Sequence, residues 1–548
     1  MISSNTTYSS HHSEMSRSIL TRCFQLWAIV IAPFLVIALA VLTIVFGLLW
    51  SQSQSSSSKK FAVEKGIIGF PITLPDDGRY VQWTFLHLND VYEMLPLDNG
   101  QRGGLARVAH IRKLLSEENH QTYTVLAGDL ISPSALMQSQ VNGTALHGRH
   151  MVATMNTLGL DFMTFGNHEF DFSNTDIISR MNESNFTWIS SNVFDMTNNK
   201  SFHTSIPYKL LNIDSVRVLI IGLTTYVNKS YVQSVDQSSL IPFVQKFLQS
   251  ISQVQYDVLV ALTHLDLDKD IELLENIPKI NLIMGGHEHE NYYLSRGSKY
   301  APIYKADANA FSVYIHRCAF NLDTRRFRIY SNLALVTPDV QDDAKTAQVV
   351  NYWFDLAIQS FEALGFRPNR TISCLPSSVE LDGRYASVRN FPTLLSNFSC
   401  ECMVYATTDS NTTIGLFTSG SIRIDDVLRG IIIEYDILRT LPYQNNLYAI
   451  SVPGEILARV FINSMLLKGD GMFLSYSGVE TTDGGKTWLM NGQDISKTGL
   501  NYKIATTDYA RENVKGLNDG TVSILKFYNT TSQTQSLINY LPSKYPPC

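Results

Sequence analysis
Five short apolar runs in this chain are each followed at once by residues that can hold a metal or move a proton. FLHLNDVY carries Asp90 and Tyr92, VLAGD ends in Asp129, FMTFGNHEFD supplies Asn167, His168 and Asp171, LVALTH ends in His264, and LIMGGHEH holds His287 and His289. Carboxylates, imidazoles and an amide make a mixed oxygen and nitrogen donor set, which suits zinc or manganese better than calcium. A single histidine after a strand is more often structural than a ligand; an ordered series of such groups points to metal-dependent chemistry. Each apolar run reads as a buried strand, and in open α/β sheets the loops beyond the carboxyl ends of the strands meet in one crevice. Those strands must lie side by side for the donors to converge.

The surrounding chain supplies that arrangement. From about residue 80 to 335 apolar runs alternate with helix-like segments, an α/β pattern. Helical apolar spacing across 343–365 ends at Gly365 and reads as a linker helix, after which a second domain follows. The 548 residues are 45% apolar and 17% charged, which excludes a disordered tail, a collagen-like fibre and a small disulfide-stapled module. With 43 Lys and Arg against 49 Asp and Glu and no basic clustering, the chain has no footprint for a nucleic-acid polymer, so a phosphate it handles is a substrate.

Near the N-terminus, 27–50 runs 24 residues without a charge, about 36 Å as a helix and enough to span a bilayer. Trp27 and Trp50 stand where an interfacial aromatic belt would place them. Ten Asn-x-Ser/Thr sequons occur, at Asn5, Asn142, Asn182, Asn185, Asn199, Asn228, Asn369, Asn397, Asn411 and Asn529, nine of them after the span. The expectation is a single-pass membrane protein with its C-terminal part extracellular or lumenal. SQSQSSSSKK after the span reads as a flexible stalk. The five cysteines beyond the span, Cys318, Cys374, Cys400, Cys402 and Cys548, allow one or two disulfides without assigning any.

The ordered motifs resemble those of the calcineurin-like metallophosphoesterases, specifically the 5′-nucleotidase/UDP-sugar hydrolase family, over about 83–519. That resemblance implies an α/β fold, a four-layer metallophosphoesterase sandwich followed by a C-terminal α/β substrate-binding domain, here preceded by one transmembrane helix. The implied boundaries are a cytosolic tail at 1–23, a signal-anchor at 24–50, a stalk at 51–79, the metallophosphoesterase domain at 80–338, the linker helix at 339–366, the substrate-binding domain at 367–527 and a C-terminal tail at 528–548. It implies two divalent metal ions, with Asp129 bridging, Asn167, His264 and His287 completing one site, and Asp90 and His289 in the other. Paired cations clamp attacking and departing oxygens of a phosphate ester and lower the pKa of bound water. His168 resembles the family's catalytic imidazole, with Asp171 orienting it. The implied partners are a nucleotide substrate and the membrane through 24–50, and a homodimer is allowed.

One position departs from the pattern, since Tyr92 stands where the family usually has histidine. A phenol with pKa near 10 is a poor zinc ligand. Three readings follow: a first site held more loosely by Asp90, Asp129 and His289; a ferric ion ligated by Tyr92; or a weakened enzyme. In the second domain, LDGRYASVRNFPTLLSN and GLFTSGSIR resemble the family's arginine motifs and place Arg389 and Arg423 at substrate-binding positions, although Thr418 replaces an asparagine. The resemblance assigns the two rings that sandwich a base to Tyr443 and Tyr509. The loop RENVKGLNDG after Tyr509 departs from the family's glycine-rich stretch.

Overall fold
Strands buried on both faces read as unbroken apolar runs, and the first domain is built on them. The computed structural model describes residues 66–69 and 71–548. In chain order come β1 (Tyr80–Leu88), α1 (Leu105–Glu118), β2 (Thr122–Ala127), α2 (Arg149–Leu158), β3 (Phe162–Thr164) and β4 (Thr187–Trp188). They are followed by β5 (Tyr208–Ile213), β6 (Val216–Thr224), α3 (Leu240–Ser250), β7 (Val258–His264), α4 (Leu267–Asn276), β8 (Leu282–Gly285), β9 (Tyr292–Arg296) and β10 (Ala301–Lys305). A hairpin of β11 (Ser312–Asn321) and β12 (Arg326–Leu335) closes the series.

Two six-stranded sheets result, ordered β12-β11-β1-β2-β3-β4 and β9-β10-β8-β7-β6-β5. β1 to β4 run parallel, as do β6, β7, β8 and β10. Period-two alternation along β6 decides the layering. Val218 and Ile220 face the other sheet, packing with Trp83, Phe85, Val125 and Val260. Leu219 and Ile221 face outward onto Val244 of α3 and Leu273 of α4. Each such side chain contributes roughly 1.5–3 kcal/mol by leaving water. α1 packs on β2 and against α2, so the order is helix, sheet, sheet, helix.

A 20-residue helix, α5 (Ala344–Ala363), follows, its N-terminus capped by the Asp343 carboxylate accepting from Thr346 N. It buries Val350, Ala357, Ile358 and Phe361 and lies against α1 and α2. The second domain centres on a five-stranded sheet. Its elements are α6 (Leu394–Ala406), β13 (Ile414–Thr418), β14 (Asn446–Pro453), α7 (Gly454–Met465), β15 (Leu474–Ser477), β16 (Asn501–Thr507), β17 (Ser523–Ser532) and α8 (Gln533–Lys544). The strand order is β15-β13-β16-β14-β17, with Leu447 and Ala449 facing α6 and α8, and Ile450 and Val452 facing α7.

The tail expected at 528–548 is corrected by this packing. Leu537, Ile538 and Leu541 recur at helical spacing, form one apolar stripe and enter the core of the second domain. The chain end is then tied by a Cys374–Cys548 disulfide, leaving Cys318, Cys400 and Cys402 as buried thiols. Pro71–Cys548 make up one compact unit. Among the described residues no helix is long and apolar enough to cross a membrane, and the span at 24–50 lies outside them.

Candidate active site
The carboxyl ends of β1, β2, β3, β7 and β8 open onto one point, and the loops leaving them turn sharply. Asp90, Asp129, His287 and His289 all have positive φ, of 53°, 57°, 94° and 56°. Non-glycine residues adopt that conformation at a cost and cluster at functional sites. The loops are held by buried backbone partners. Glu169 accepts from Asp129 N at 3.0 Å, Leu130 N at 2.6 Å and Gly166 N at 2.5 Å, fastening the β2 loop to the β3 loop. Gly166 permits that approach: a Cβ there would lie 2.0 Å from Asp129 Oδ1. Asn89 donates to Asp90 Oδ2 at 2.8 Å and receives Ala306 N on its own oxygen at 2.7 Å.

With one oxygen of Asp90 occupied by Asn89 and by His287 N at 2.8 Å, the other faces inward. Asp129 Oδ1 takes His168 N at 2.9 Å, while Oδ2 lies 3.3 Å from His264 Nε2. His264 Nδ1 donates to Ala127 O at 2.8 Å, which turns its Nε2 toward the carboxylates. Asp90, Asp129 and His264 each offer a ligand atom, all within 4.8 Å of one another. His287 Nδ1 lies 3.2 Å from His264 Nε2, and its Nε2 lies 3.3 Å from Asp266. Asn167 completes the ring with a side-chain oxygen that is buried and has no hydrogen-bond partner. A buried acceptor left unpaired costs about 1–3 kcal/mol, and a cation offsets that cost. The donor set fits divalent metal at Asn167, His264, His287 and Asp129.

Beside it, Asp90, Asp129, His289 and Tyr92 draw together. The Tyr92 hydroxyl is 3.0 Å from Asp129 Oδ2, 3.0 Å from His289 Nε2 and 3.3 Å from Asp90 Oδ1. Burial, then the Asp129 and Asp90 charges, raise this phenol well above its usual value, so it serves as a hydrogen-bond donor to Asp129. Burial disfavours charge on His264 and His289, yet the carboxylates outweigh it and bring both to about 10. The same pairing holds Asp90 down to about 2 against its own burial.

His168 Nδ1 donates to Asp171 Oδ2 at 2.7 Å, and Ser132 Oγ donates to the same oxygen at 2.9 Å. Arg423 Nη2, from the second domain, donates to His168 Nε2 at 2.8 Å. A cavity of about 470 Å³ begins at His168 and Asp171 and is lined by Arg423, Tyr443, Tyr509, Asn445 and Lys229. Tyr509 is 47% exposed at its mouth. Arg389 does not line that cavity but lies behind its wall, where a Cβ on the lining residue Gly471 would be 4.0 Å from the Arg389 guanidinium carbon. Its guanidinium stacks 3.6 Å over the Tyr385 ring, in a crevice shared with Tyr92, His289, Asp425 and Arg423.

Residues 84–291 match the family described as calcineurin-like phosphoesterase, and residues 376–520 match the 5′-nucleotidase C-terminal domain. The chain belongs to the 5′-nucleotidase family of metallophosphoesterases. As a member of that family it is a metal-dependent phosphoric ester hydrolase. It is 25% identical over 479 residues to snake venom 5′-nucleotidase from Gloydius brevicauda, covering 78% of each chain. It is 26% identical over 453 residues to the trifunctional nucleotide phosphoesterase YfkN of Bacillus subtilis, covering 74% of this chain but only 29% of that longer protein. Its fold is similar to the 5′-nucleotidase precursor from Thermus thermophilus, with a TM-score of 0.70 and 19% identity over 85% of this chain and 97% of that one.

Within this 5′-nucleotidase fold, sequence reasoning missed Glu169 and Asp425. Glu169 sits inside the NHE triplet, between residues whose ligand and catalytic roles are the more evident; an ionisable side chain directly beside donors, on a loop between buried strands, was the available signal. Asp425 follows Arg423 by two residues and donates nothing to the cavity, so only its place in the fold reveals it.

Proposed function
We propose that this chain is a membrane-anchored ecto-5′-nucleotidase-like enzyme that releases phosphate from nucleoside 5′-monophosphates through a two-metal centre. The observation that carries this reading is the single cavity in which His168 and Asp171 from the first domain meet Arg423, Tyr443 and Tyr509 from the second. Asp129, Asn167, His264 and His287 would hold one cation, and Asp90, Asp129 and His289 the other, zinc or manganese in each case; together they would stabilise phosphoryl oxygens and acidify the attacking water. Tyr92 stays protonated in this reading and is not a phenolate ligand for iron. Tyr443 and Tyr509 hold the base by stacking, which tolerates different bases. Arg423 offers planar donors to phosphate or ribose oxygens. Asp171 fixes the His168 ring with its Nε2 toward the cavity and beside Arg423; once substrate oxygens take over the Arg423 donors, Nε2 is free to carry the proton that passes to the departing 5′ oxygen.

The anchor is the uncharged run at 27–50. An external or lumenal location for the catalytic domains is supported by the sequons: Asn142, Asn182, Asn185, Asn199, Asn228, Asn369, Asn411 and Asn529 are exposed, and Asn397 is half-buried. The Cys374–Cys548 disulfide supports the same oxidising side. Lys229 favours a second reading. It stands exposed on the cavity rim with no ion pair among the described residues, and it suits a substrate with a further phosphate, as in a nucleotide sugar. Release of products by the detergent-solubilised chain, with metals added back singly, separates the two: inorganic phosphate from AMP, UMP with glucose 1-phosphate from UDP-glucose, and a nucleoside monophosphate from a cyclic nucleotide. AMP as the best substrate supports the first; no release from any of them, with every metal tried, overturns both.

A further inference from the structure
Three imidazoles are turned toward the metal centre, and each has its second nitrogen held by a different device. His264 is oriented by the Ala127 carbonyl at 2.8 Å, and His287 by Asp266 at 3.3 Å, both within the first domain. His289 is the exception. Its Nδ1 lies 2.8 Å from Oδ2 of Asp425, which belongs to the second domain, 136 residues away. With the proton on Nδ1 directed to that carboxylate, Nε2 is turned toward Asp90 Oδ1 at 3.5 Å. A carboxylate behind a ligating histidine fixes tautomer and ring orientation and strengthens the donor.

Asp425 is itself held firmly. Its Oδ1 accepts from Tyr385 N at 2.7 Å, and its side chain is 15% exposed against 12% for His289. The Tyr385 ring packs against the His289 ring, centroids 5.3 Å apart, and carries the Arg389 guanidinium 3.6 Å from its centre. Further links tie the domains together nearby: Arg102 Nη2 to Asp426 at 2.6 Å and Arg439 Nε to Glu93 at 3.6 Å.

We infer that Asp425 is a positioning residue for His289, so that the site of Asp90 and His289 is completed only when the second domain is seated as it is here. The inference rests on the reading of His289 as a metal ligand. Separation of the domains would remove the support of one ligand ring at one site and leave the other site intact. Metal binding and domain closure thereby favour each other, as reciprocal linkage requires.

The test is manganese binding by the full chain in detergent, measured by equilibrium dialysis with metal analysis, for wild type, Asp425→Ala, Asp425→Asn and His289→Ala. Asp425→Ala is expected to weaken one of two manganese equivalents about 10- to 100-fold and leave the other unchanged. Asp425→Asn keeps an oxygen acceptor of the same size, tests the effect in a chain with unaltered packing, and is expected to recover part of the loss. His289→Ala is expected to lose the same equivalent. Native affinity at both sites in Asp425→Ala and Asp425→Asn, with one equivalent lost in His289→Ala, overturns the role of Asp425. Native affinity in His289→Ala overturns the ligand assignment beneath it. A closure readout completes the set: distance between labels on the two domains should shorten on adding manganese to wild type and stay unchanged in Asp425→Ala.

Discussion
Replacing Tyr92 by phenylalanine removes a single hydroxyl and keeps the ring, which is 4% exposed and contacts the His168 and His289 rings. A phenol has one hydrogen to donate, and the Asp129 carboxylate at 3.0 Å is its acceptor. A hydrogen bond to a charged group is worth about 1.5–3 kcal/mol. For a chain of 548 residues, an unfolding entropy of ~2.1 cal/mol/K per residue makes that a fall in Tm of about 1.3–2.6 °C for the metal-free protein. In the metal-loaded protein Asp90, Asp129 and His289 remain, so both metal equivalents are expected to persist, with affinity reduced no more than about tenfold. Scanning calorimetry of dialysed and manganese-loaded samples, with metal content measured on the same preparations, reads both quantities. Loss of one whole equivalent in Tyr92→Phe refutes the reasoning, because it makes the phenol a ligand rather than a donor to one. The companion Tyr92→His places an imidazole at the same position and is expected to tighten metal binding there.

His168→Ala should lower kcat by about 10²- to 10⁴-fold with little change in KM, and Asp171→Asn should do the same to a smaller degree; steady-state phosphate release checks both, and full activity in His168→Ala sinks the assignment. Since His264 and His289 carry protons up to about pH 10 without metal, metal must displace them, so affinity should rise with pH between 6 and 9 and binding should release protons, measurable by calorimetry in buffers of different ionisation heat. The same raised values mean that their contribution to the stability of the metal-free chain is fully present below about 6.5 and is lost as pH rises through about 10, which thermal melts across that range would follow. Glu169→Ala strips the partner from four buried amides at about 1–3 kcal/mol each; a large drop in Tm together with loss of metal is expected, and an unchanged melting curve would refute the role given to it.

Much of the first domain is legible in the sequence because its strands are buried on both faces, so that VRVLIIGLT is without a polar side chain from Val218 to Leu223, on the positions facing either layer. The donors are legible for a related reason: each follows directly on a strand whose end the sheet topology fixes. What escapes is whatever depends on contact between distant segments. His289 meets Asp425 across 136 residues, and Cys374 meets Cys548 across 174, and five cysteines beyond the span leave such a pairing undetermined. The last helix reads as a tail in the sequence because its apolar residues, Leu537, Ile538 and Leu541, are few and set among Ser, Gln and Asn. Only the groove between α6 and β14 gives that thin stripe a place to go. The position of Arg389 escapes likewise, since a motif says which residue approaches a substrate but not from which side.

Gly166 has no side chain to contribute to chemistry, yet the 2.0 Å between its missing Cβ and the Asp129 carboxylate sets the spacing of the whole centre. In a survey of natural variation, a Gly166→Ala or Gly166→Ser allele would look mild by size and polarity. It belongs with changes to Asp129 itself, because any added atom pushes that carboxylate out of its place. Diverging copies of this protein that still turn over substrate should therefore keep a hydrogen at that position as strictly as they keep the ligands.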